Sequence, residues 1–189
     1  KLQENIFMRL ALHRVAEQND LEQTFLLSEK EQLKRLAILR KALGTNTSTE
    51  SDAIENGPYS KSLASALRQE SVQLSTLRKS LRNNEIYLKF LVDLTTLRVL
   101  KISPQETTML THSRQNTDLS QLFTTLLAKD EKSTDAQGTT VIYLDGLHLP
   151  ENLYKEIQKA TQQQQDKAFF SEVLSATYFL AAKEIKYIN

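Results

Sequence analysis

Leucine recurs at every seventh position between about Lys61 and Ile102, at Leu67, Leu74, Leu81 and Leu88. Leu63, Leu77 and Leu91 fall on the intervening steps, so the stripe advances alternately by three and four. On a helix this spacing keeps a narrow apolar seam on one side, and two such seams bury each other as a coiled coil. Glu70, Asn84, Thr95 and Arg98 interrupt the seam. The expected partner-binding surface is therefore Leu63, Leu67, Leu74, Leu77, Leu81, Leu88 and Leu91, engaging other protein subunits in a hetero-oligomer rather than a homo-oligomer.

Upstream, residues 2–43 read as one long helix. Met8, Leu12, Val15, Leu26, Leu33, Leu36 and Leu43 share a heptad frame, which Asn5, Asn19, Glu22, Glu29 and Arg40 weaken. An Asn buried in such a seam fixes register at a cost in stability; alternatively these polar positions are exposed because no partner covers them there. Ile6, Phe7, Leu10, Phe25 and Leu27 lie outside the frame and widen the apolar face toward a further helix. Leu43-Gly44 is a C-terminal stop signal, with Arg40 and Lys41 in the last turn. Residues 44–58, rich in Ser, Thr, Asn and acids, form a linker that would either close a hairpin between two long helices or remain a disordered loop.

The second helix is expected over 59–103, opening near Pro58. Its β-branched end, Thr95, Thr96, Val99 and Ile102, would also permit a strand. Ser103-Pro104-Gln105-Glu106 carries a new helix start, and Thr117 or Asp118 caps a further helical piece through Leu119, Leu122, Phe123, Leu126 and Leu127. Thr139–Leu144 reads as a strand, Asp145-Gly146 as a tight turn, and Leu147–Leu149 as the returning strand of a hairpin. Pro150 then opens a helix through Leu153, Tyr154 and Ile157. A last helix begins at Asp166 with Phe169, Phe170, Val173, Leu174, Thr177 and Leu180, before a small edge strand at the C-terminal EIKYIN.

Composition narrows the function classes. The chain of 189 residues contains no Cys, so disulfides, thiolate metal sites and a Cys nucleophile are excluded. A reducing intracellular compartment, nuclear or cytoplasmic, fits that absence. No apolar run approaches the roughly 20 residues of a membrane span. The net charge of +1 provides no overall field toward nucleic acid or membrane. The three histidines lie in separate segments, the glycines never cluster into a phosphate loop, and no nucleophile motif occurs. No enzyme activity, cofactor or metal is expected. The chain opens at Lys1 already in helical register, as a piece of a longer protein would.

These observations predict a mainly α fold: a coiled-coil arm of two long helices over 1–103, then a small helical or α+β head over 104–189 with one β-hairpin. The function they imply is that of a non-enzymatic coiled-coil subunit of a larger assembly, a scaffold, adaptor or tether. The alternative is a nucleic-acid-associated protein. Between Lys61 and Lys101, eight basic residues face three acidic ones, an excess of five, and clustered Lys and Arg neutralise phosphates.

Overall fold

A computed structural model describes residues 2–44, 72–114, 118, 121–122, 125, 141–145, 155, 159, 169–173 and 175–186. The chain forms two compact units, Lys1–Leu77 with Leu174–Asn189, and Arg78–Val173.

In the first unit the expected helix over 2–43 is two helices, α1 (Leu2–Glu17) and α2 (Leu21–Gly44). The break follows from local chemistry. Asn19 adopts φ 56°, the left-handed conformation that Asn tolerates better than most residues. Asp20 N–H donates to Val15 C=O and Asn19 N–H to Ala16 C=O, closing α1 with a Schellman motif. Asp20 then caps α2, its Oδ1 accepting from Gln23 N–H at 3.1 Å. Asn19, read as a seam position, is thus an exposed helix terminator. Leu12, Ala16 and Phe25 are buried, and Arg9 on α1 pairs with Glu31 on α2 at 2.9 Å. The C-terminal helix, α4 (Ala176–Lys186), belongs to this unit and buries Ala176 and Phe179.

The largest correction concerns residues 59–103. No long coiled-coil helix is present among the described residues there. A short helix, α3 (Leu74–Ser80), is followed by strands β1 (Glu85–Val92) and β2 (Thr96–Ile102). Residues 45–71, including most of the linker and Leu63 and Leu67, lie outside the described residues. The physical reason is that the segment from Glu85 onward, EIYLKFLV and TLRVLKI, is dense in aromatic and β-branched residues that suit a pleated surface. Two turns frame β1. Asn83-Asn84 precedes it, and at its end Asp93 Oδ1 accepts from Thr95 N–H at 2.9 Å, an Asx-turn.

Ser103-Pro104-Gln105-Glu106, expected to start a helix, is the turn from β2 to β3 (Thr107–Ser113). Ser103 N–H donates to Glu106 C=O, and Ser103 Oγ accepts from Glu106 N–H at 3.1 Å. Asp118 does cap a helical turn, its Oδ1 accepting from Gln121 N–H. The strand expected near 139–144 is present as β4 (Val141–Asp145), but not as half of a hairpin. Its two edges are taken by β1 and by β5 (Phe169–Val173), both parallel to it. Leu147–Leu149 lie outside the described residues, and β4 offers them no free edge. β5 replaces the first part of the expected helix from Asp166, whereas α4 carries its Thr177 and Leu180; residues 184–186 of the expected terminal strand are helical, and 187–189 lie outside the described residues.

The second unit is therefore a five-stranded mixed sheet in the order β3-β2-β1-β4-β5, with β1–β2–β3 antiparallel. One face packs Leu88, Phe90, Leu97, Val99, Ile142 and Leu144 into a core sealed by Leu122, with Ile86 and Leu110 at its margin.

Candidate functional site

Among the described residues the predicted partner leucines do not share one stripe, and Leu63 and Leu67 lie outside the described residues. Leu74 and Leu77 are buried on α3, Leu81 is buried just beyond it, and Leu88 and Leu91 are on β1. Leu88 and Leu91 are three residues apart, and on a strand an odd separation places them on opposite faces. Leu88 joins the core, while half-buried Leu91 is in register with Arg98. Three of the eight basic residues are engaged within the chain. Arg78 donates to the carbonyls of Pro104 and Gln105, Lys89 is buried against Asp145, and Arg98 is buried with its Nη1 3.1 Å from Thr96 Oγ1.

The sheet face opposite the Leu122-sealed core carries a polar ladder that the periodicity does not reveal. Strands β1 and β4 hold the same tripeptide in register: Ile86-Tyr87-Leu88 beside Ile142-Tyr143-Leu144. The next step pairs Lys89 with Asp145. Lys89 Nζ lies 2.7 Å from Asp145 Oδ2, and Tyr87 OH donates to the same oxygen at 2.6 Å. One step earlier, Tyr143 OH donates to Glu85 Oε1 at 2.9 Å, while Glu85 Oε2 accepts from Arg82 N–H at 2.8 Å. The Lys89 and Asp145 side chains are 1% and 0% exposed. A pair so enclosed cannot meet a substrate as it stands. It acts between strands, where a slip in register would leave two buried charges uncompensated. The repeated Ile-Tyr-Leu, each followed by a charge of opposite sign, is the sequence signal that would have exposed this ladder.

A second buried carboxylate organises the first unit. Glu29 on α2 is fully buried and accepts from the N–H groups of Ala176, at 3.0 Å, and Thr177, at 3.4 Å, and from Thr177 Oγ1. Ser175 Oγ accepts from Tyr178 N–H and Ser175 C=O from Phe179 N–H. The first four amides of α4 are thus satisfied, two of them by a side chain remote in sequence. In the heptad pattern Glu29 is only a polar interruption, and nothing local in the sequence marks it as a cap for a helix 147 residues away.

Exposed apolar residues form the remaining candidate. On α1, Ile6, Phe7 and Leu10 are 51%, 68% and 59% exposed. At 3.6 residues per turn they share one side of the helix, close to opposite the side that buries Leu12 and Ala16. Leu94, at the β1–β2 turn, is 90% exposed. Among the described residues no group of three His, Asp or Glu side chains could hold a metal ion, and no helix is long and apolar enough to cross a membrane. The chain matches no protein-family model, no curated protein and no solved structure.

Proposed function

We propose that this protein is a non-enzymatic subunit of a larger hetero-oligomeric assembly, an adaptor or scaffold that docks through α1. The observation that carries this reading is the side of α1 bearing Ile6, Phe7 and Leu10. Three large apolar side chains on one exposed helix face form a patch whose cover lowers its free energy by about 1.5–3 kcal/mol for each fully buried side chain. The matching occupant is an apolar helix face of another chain, read as anchors at i, i+1 and i+4. The saturated, enclosed state of the Tyr87–Lys89–Asp145 and Glu29 clusters supports the non-enzymatic part, since a reacting group must reach its substrate. The nucleic-acid alternative is weakened by the internal engagement of Arg78, Lys89 and Arg98.

The test compares wild type with Phe7→Asp/Leu10→Asp, by native mass and by the stoichiometry of the purified particle. The double substitution should release the protein as a folded, lighter species, because it places charges in the apolar contact. An unchanged particle mass in the variant sinks the α1 reading. Salt-dependent nucleic-acid binding by wild type would favour the alternative.

A further inference from the structure

Strand β3 is one margin of the sheet, and among the described residues nothing pairs with its outer side. Edge strands are commonly blunted by a Lys, a Pro or a bulge, because an open ladder recruits other chains. The sequence of β3, TTMLTHS, contains no Lys, Arg, Asp, Glu or Pro. Charge stands just outside both ends instead, with exposed Glu106 before the strand and exposed Arg114 after it.

The ladder fixes which backbone groups face outward. Ser103 N–H donates to Glu106 C=O at one end, and Arg114 N–H to Thr95 C=O at the other. Residues of an antiparallel pair alternate between facing their neighbour strand and facing away. Thr108, Leu110 and His112 therefore direct their amides and carbonyls to β2, and Thr107, Met109 and Thr111 direct theirs to the open side.

We propose that β3 pairs with β3 of a second copy of this chain, antiparallel, about a two-fold axis at Leu110. Met109 then lies opposite Thr111 of the partner subunit, and both present outward amides and carbonyls. Each such pair exchanges two backbone hydrogen bonds, and the two-fold axis creates the pair twice. The intervening positions bring side chains closest: Leu110 meets the partner's Leu110, Thr108 faces the partner's His112, and Glu106 faces the partner's Arg114 at both ends. Leu110 already packs at the margin of the Leu88–Phe90–Val99 core, so the axis continues that core into the neighbouring copy. The charges select the register. Centring on Met109 sets Glu106 against His112 and Arg114 against Pro104, and centring on Thr111 sets Arg114 against Thr108. Among these registers only the Leu110 centre joins both charges, and it does so twice. This self-complementarity is what identifies the occupant as a second copy, independently of the α1 face.

The test is sedimentation velocity with light scattering on the full chain across the micromolar range, with Glu106→Arg as the variant. Wild type should show a reversible monomer–dimer equilibrium. Glu106→Arg sets Arg opposite Arg at both ends and should weaken the dimer about tenfold. Adding Arg114→Glu should recover it. Arg114 also donates to Asp93 C=O, so a readout free of substitution is needed as well. Amide exchange of wild-type Met109 and Thr111 should slow as concentration rises, while Thr108 and Leu110, already bonded to β2, stay constant. Wild type that is monomeric throughout, a dimer indifferent to Glu106→Arg, or concentration-independent exchange at Met109 and Thr111 overturns the proposal. If the charge swap fails to recover the dimer, the exchange result decides.

Discussion

The Glu29 carboxylate accepts the amide hydrogen of Ala176 across 147 positions of sequence. α4 is thereby started by α2, and its first turn depends on a tertiary contact as well as on its own Ser175 cap. Glu29→Ala would leave two buried amides without an acceptor, at about 2–4 kcal/mol in total. Glu29→Gln keeps an acceptor oxygen and should cost about half as much. Chemical denaturation measures both, and amide exchange at Ala176 and Thr177 should accelerate far more than at α1. A Gln variant as stable as wild type, with the loss confined to Ala, would mean that the side chain acts by volume rather than as a charged cap.

Asn19 offers a cleaner test of backbone conformation, since its side chain is exposed and its φ is 56°. Asn19→Gly should be close to neutral, because glycine adopts this conformation freely. Asn19→Val should cost about 1–2 kcal/mol, as a β-branched residue is strained there. Thermal melts of the two variants separate this role from the seam role, in which valine would stabilise an apolar stripe.

What could be read from the sequence was local. The turn residues Ser103 and Pro104, the cap at Asp118 and the apolar run at Val141 all mark real boundaries, because each acts through its own backbone neighbours. The heptad misled because a seven-residue leucine repeat does not state which element carries each leucine. Leu74 and Leu77 are helical, Leu81 precedes a turn, and Leu88 lies in a strand. Asn83-Asn84 and Asp93-Leu94-Thr95 were the overlooked punctuation, and between them Glu85–Val92 is too short for a substantial helix and right for a strand. The candidate surfaces were harder to read still. The polar ladder needs β4 beside β1, and the open edge of β3 needs the complete strand order. No periodicity encodes either one.

Leu88, predicted to face a partner, is expected to behave as core. Leu88 is 1% exposed within the sheet's apolar face. Leu88→Ala should destabilise the chain by about 3–5 kcal/mol through lost burial and a residual cavity. Leu91→Ala, at a half-buried site in register with Arg98, should cost about 1 kcal/mol or less. A helical seam would make the two substitutions comparable, so their ratio in urea denaturation discriminates between the architectures.

The Lys89–Asp145 pair gives the most demanding test of the sheet. Both side chains are buried, at 2.7 Å, and Tyr87 OH donates to the same Asp145 oxygen. Removing one partner, as in Lys89→Met or Asp145→Leu, takes this ion pair from the other buried charge, at about 3–5 kcal/mol. Removing both eliminates the two desolvation costs together with their attraction, so Lys89→Met/Asp145→Leu should be far less destabilised than the sum of the single variants. The interaction energy from that cycle should be at least about 2 kcal/mol. Additive single effects would show that the two charges do not depend on each other, and the parallel β1–β4 register would then have to be set by the apolar face alone.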